Sequence, residues 1–129
     1  MSELKLKQLQ FETDTWKRLL GFMSDENIHQ KNRLSEILKN QFDINLLEEI
    51  ENFQSRFLME DERIGLLIKE VTVLDKLLVR EIFEDGSLIR QVDTQLKRLR
   101  KNIKYAEAQF TKMKMDFNNY LSENIILNR

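Results

Sequence analysis

Cysteine and proline are both absent from this chain of 129 residues, and glycine occurs three times, at Gly21, Gly65 and Gly86. Without cysteine there is no disulfide, no thiolate metal ligand and no thiol nucleophile. Without proline, and with so little glycine, almost nothing in the chain interrupts a helix, since proline breaks helices and glycine weakens them. Turn residues are too few for a sheet protein of this length. His29 is the only histidine, which leaves a Ser-His-Asp site a single placement. There is no glycine-rich phosphate loop. No stretch approaches the roughly 18 consecutive apolar residues of a membrane-spanning helix. The first residues, Met1 to Lys7, hold no apolar run that reads as a signal peptide. A cytoplasmic location is expected. Charge of one sign is also lacking: 21 basic against 22 acidic residues give a formal net charge of -1. That balance argues, though only weakly, against an obligate nucleic-acid or anionic-membrane binder.

What the chain does have is apolar periodicity. Ile89, Val92, Leu96, Leu99, Ile103, Ala106, Phe110, Met113, Phe117 and Tyr120 alternate three and four apart. This is the seam of a helix that packs along its whole length against other helices. A second seam reads Leu46, Ile50, Phe53, Phe57, Glu60, Ile64, Leu67, Val71, Leu74 and Leu78, with Glu60 its one polar member. Leu58, Leu66, Ile68, Val73, Leu77 and Ile82 widen its apolar surface, so this helix is expected to sit against both neighbours with little of its circumference wet. A fainter seam runs through Leu6, Leu9, Thr13, Trp16, Leu20, Met23, Asn27, Gln30, Leu34 and Ile37.

Capping residues separate the three. Asp43 suits an N-cap, with Phe42 and Leu47 placed as a hydrophobic staple. Gly86 can end a helix in the left-handed conformation, and Ser87 can cap the next. The expectation is an all-α, up-down-up antiparallel three-helix bundle with helices near 3–40, 44–84 and 88–124. Short connections at 41–43 and 85–87 force neighbours antiparallel, and the seam period of 3.5 implies a left-handed supercoil. Residues 1–129 form one domain, with 1–10 liable to fray.

Two local strings carry a resemblance. Trp16, Leu20, Phe22 and Glu26, followed by Asn32-Arg33-Leu34-Ser35-Glu36, form one; Phe53-Gln54 with Phe57 forms the other. Over residues 12–80 the chain resembles a group of small helical-bundle proteins of Bacteroidetes-type bacteria that has no known activity. The resemblance implies a bacterial, cytoplasmic helical protein and no particular chemistry.

Four features are candidates for function. Glu26 and His29, three apart, are half of the carboxylate-bundle di-metal pattern, which needs a second such pair and two more glutamates. Only a dimer supplies the second half, so this reading is remote and no cofactor is expected. Asn27, Gln30 and Glu60 are the polar members of two seams and gather at one level of the bundle. They read as a register-setting layer, at some cost in stability, or a locally hydrated gap, with a groove for a partner helix or a small-molecule or metal pocket as the alternatives. Lys97, Arg98, Arg100, Lys101 and Lys104 form a basic stretch on the third helix, opposite an acidic second helix. The expectation is helix-to-helix pairing, with weak nucleic-acid or anionic-surface binding as the alternative. Tyr105 is the only aromatic beside that stretch, which gives base stacking little to use. Finally, Phe11, Phe22, Ile28 and Tyr105 lie off the seams and suggest a second contact surface. The leading reading is a non-enzymatic bundle acting through protein contacts, with another protein or with itself as a homodimer; nucleic acid is not the expected partner.

Overall fold

A computed structural model describes residues 3–40, 44–81 and 89–126, which are helical throughout. Helix α1 spans Glu3–Asn40, α2 spans Leu47–Glu81 and α3 spans Ile89–Leu121. A 3-10 turn at Ile44–Leu46 leads into α2, and a π-helical turn at Ser122–Ile126 follows α3. At 1.5 Å per residue the three helices run about 50–57 Å. The expected turns at 41–43 and 85–87, with Asp43, Gly86 and Ser87, lie outside the described residues, as do Phe42 and Ile82.

Each seam becomes core. From Leu9 to Leu34, from Ile50 to Leu78 and from Val92 to Tyr120, every position of the three series is buried. The ends Leu6, Ile37 and Leu46 pack partly buried against it. Among the described residues the buried polar side chains are Thr13, Asn27, Gln30 and Glu60, all in the seams. Thr13 is satisfied locally, its hydroxyl donating to the Gln10 carbonyl at 3.0 Å. Helix α2 packs against both neighbours and shares more contact with each than α1 and α3 share with one another.

Ion pairs beside the seams report the helix directions. Lys17 pairs with Asp75 and Lys31 with Asp61, so α2 recedes fourteen residues as α1 advances fourteen. These helices are antiparallel. Glu12 pairs with Arg100 and Glu26 with Lys114, so α1 and α3 advance together and are parallel. Arg56 with Asp116 and Glu70 with Arg98 join α2 to α3 in the antiparallel sense. The molecule is an up-down-up three-helix bundle.

Two expectations need correction. Leu58, Leu66, Ile68 and Val73 do not widen the buried face of α2: they are 55%, 61%, 38% and 51% exposed. Two neighbouring helices cover only the seam and its immediate flanks, and these four point past that coverage. Leu77, partly buried against the core, does what was expected. The pairing of charges is also not confined to α2 and α3, because α1 supplies the acids for Arg100 and Lys114.

Candidate functional site

The polar layer is sealed. Asn27, Gln30 and Glu60 are 0%, 2% and 5% exposed. The Asn27 amide donates from Nδ2 to the Phe57 carbonyl at 2.9 Å and to Asp61 Oδ1 at 2.7 Å. Two acceptors on one side fix the orientation of that amide. Its Oδ1 is therefore buried with no hydrogen-bond partner among the described residues. Lys31 holds the other oxygen of Asp61 at 2.5 Å. On the α3 side, Arg33 Nη1 donates to Gln30 Oε1 at 3.2 Å and to Asn118 Oδ1 at 2.9 Å. Its guanidinium also stands 5.8 Å from the centre of the Phe117 ring. Glu60 lies between Phe57 and Asp61 along α2; Arg63 reaches its Oε1 at 3.0 Å while Oε2 is buried with no hydrogen-bond partner among the described residues. Burial pushes the Glu60 carboxyl above its ordinary range, with the charges of Arg63 and Arg56 opposing.

These contacts tie α1 to α2 and α1 to α3 at one level, which is what a register device requires. Directly beside it Phe53, Phe57, Phe117 and Tyr120 stack, the Phe57 and Phe117 rings edge to face at 4.9 Å. None of the three polar side chains offers a partner enough surface to touch.

A concave surface lies elsewhere, between the parallel helices α1 and α3, which share the least contact of the three helix pairs. Leu19, Phe22 and Met23 from α1 and Phe110 and Met115 from α3 line a groove of about 300 Å³. Phe22 and Met115 are 58% and 59% exposed. Glu107, Thr111 and Met115 continue the depression onto the outer face of α3, where Lys104, Ala108 and Lys112 border it. The sequence marked Phe22 as off-seam; it did not show that Met115, twenty-nine residues past Gly86, stands beside it.

Of the basic stretch, two members are engaged. Arg100 grips Glu12 through both Nε and Nη2 at 2.8–3.2 Å, which holds its guanidinium above its ordinary value. Arg98 pairs with Glu70 at 3.2 Å. Lys97, Lys101 and Lys104 are exposed and make no ion pair among the described residues. Tyr105 lies under the Arg63 guanidinium at 5.4 Å. Phe11, 69% exposed, neighbours Glu12 and so stands at the level of Arg100. The order of residues along α3 alone does not bring an aromatic of α1 to that level.

Glu26 and His29 are not brought to a common ligand position. The Lys114 ammonium binds Glu26 at 2.5 Å and holds its carboxyl below the ordinary range, while His29 faces solvent. Among the described residues no group of three or more His, Asp or Glu could hold a metal ion. Among the described residues no helix is long and apolar enough to cross a membrane.

Fold and surface together define a three-helix bundle with a sealed polar layer and an open apolar groove. Compared with known proteins, the chain matches no family model, and no curated protein and no solved structure matches it.

Proposed function

We propose that this chain is a non-enzymatic helical-bundle protein that acts through protein contacts made at the groove between α1 and α3. The observation that carries the reading is the pair Phe22 and Met115, both more than half exposed over a floor of Met23 and Phe110. Large apolar side chains rimming a concave surface are what a partner helix needs, and methionine adapts its shape to what docks. The titratable groups with displaced pKa values fit a structural role. Lys17, Glu26 and Arg100 are shifted by ion pairs between helices, and Glu60 by burial in the layer. The test is affinity capture from the source cell with wild type and with Phe22→Asp/Met115→Asp. A partner retained by wild type, lost by the variant and rebinding in purified form supports the reading. Equal capture by both removes the groove from it.

A second reading, binding of a nucleic acid or another anionic surface, gains from Lys97, Lys101 and Lys104, which are exposed, and from Phe11, exposed on α1 at the level of Arg100. Weak, salt-sensitive and sequence-independent retention on heparin or DNA is the most it supports. Tight binding to one defined sequence at physiological salt would put it first.

A further inference from the structure

We infer that the groove side of α3 docks the outer face of α2 from a second copy of this chain, joining copies head to tail; the inference rests on the protein-contact reading. The argument is complementarity of charge and size between two faces of one molecule. On α3 the outward stripe Lys101, Lys104, Ala108, Thr111 and Met115 steps by three, four, three and four residues, and all five are exposed. On α2 the outward stripe Glu48, Glu51, Ser55, Leu58 and Glu62 takes the same steps and is exposed throughout. None of Lys101, Lys104, Glu48, Glu51 and Glu62 makes an ion pair among the described residues.

Laid parallel, the stripes place Lys101 on Glu48 and Lys104 on Glu51. Ala108 meets Ser55, so the helices approach closely where both carry small side chains. Leu58 then meets Thr111, which lines both the apolar groove and its extension on α3. Glu62 falls beside Met115, within one turn of Lys112, a cation with no ion-pair partner among the described residues. Long acidic and basic side chains around an apolar contact give register and salt sensitivity more than affinity. Each copy offers its α3 face to one neighbour and its α2 face to another, so the contact is heterologous and no two-fold axis closes it.

Sedimentation velocity of the full chain over a concentration series, at low and high salt, tests this. Wild type is expected to gain mass steadily with concentration and to lose that tendency in high salt. Lys101→Glu/Lys104→Glu and Glu48→Lys/Glu51→Lys change exposed side chains and are expected to leave the circular dichroism spectrum unaltered. Each is expected to weaken self-association at least tenfold when alone. Mixed one to one, they are expected to associate again, because each then meets an opposite charge. A wild type that stays monomeric throughout, variants that associate like wild type, or a mixture that stays monomeric would each overturn the inference. A monomeric chain whose groove still captures another protein would leave the protein-contact reading standing.

Discussion

Asn27 and Glu60 are the two residues where the bundle departs most from a plain apolar core. Both carry a buried oxygen with no hydrogen-bond partner among the described residues, a state that costs about 1–3 kcal/mol for an ordinary polar group. The partners of Asn27 do not depend on it: Asp61 keeps Lys31, and the Phe57 carbonyl belongs to a helix. Asn27→Leu with Gln30→Leu is therefore expected to raise stability by about 1–3 kcal/mol, with oligomeric state and partner binding unchanged. Chemical denaturation and sedimentation check this together. Loss of a partner with the fold intact would move the functional site into the layer. Glu60 gives a pH signature. Its carboxyl is raised in the folded state, so it binds its proton more tightly folded than unfolded. The stability it contributes is complete below the unfolded value near 4.5 and is lost as pH rises through the folded value. Glu60→Gln keeps the Oε1 acceptor for Arg63 and removes the charge. Its thermal midpoint is expected to exceed that of wild type by a few degrees near neutral pH, with the gap closing in acid. A constant gap across that range would mean that burial is not what shifts Glu60.

At the scale of the helix, the seams were legible because burial in a three-helix bundle follows one rule, period 3.5 on one side of each helix. Even the polar members Thr13, Asn27, Gln30 and Glu60 obey it. Leu99, at mid-seam and 0% exposed, shows what the rule is worth. Leu99→Asp buries an unpaired carboxylate at a cost of several kcal/mol, against a total stability of about 5–15. It is expected to unfold the domain or nearly so, read as lost helical signal or a collapsed thermal midpoint; a midpoint within a few degrees of wild type would contradict the packing. The flanks were harder to read. Leu58, Leu66 and Val73 are as apolar as their buried neighbours, and apolar character alone does not say where coverage by the next helix stops. Leu121 was missed because it lies off the three-four ladder of α3 yet is 2% exposed. The π-helical turn that follows it, where Asn124 Nδ2 donates to the Tyr120 carbonyl at 3.1 Å, left no mark in the periodicity.

For the molecule as a whole, the sequence carried the architecture and not the site. The groove depends on α1 and α3 being parallel neighbours, with ion pairs Glu12–Arg100 and Glu26–Lys114 setting their register. Phe22 and Met115 come together only after that. The polar layer could be found from the chain because it is written in the seams; the groove is a product of packing between segments far apart in sequence. The claim that this bundle works through that groove is tested most directly by photo-crosslinking in the source cell. A photoreactive amino acid replaces Phe22, or Met115, and a control carries it at Lys76, which is exposed on α2. Protein adducts of one defined mass from positions 22 and 115, and none from 76, are the expected result. No adduct at 22 or 115, or the same adducts from all three positions, would contradict it.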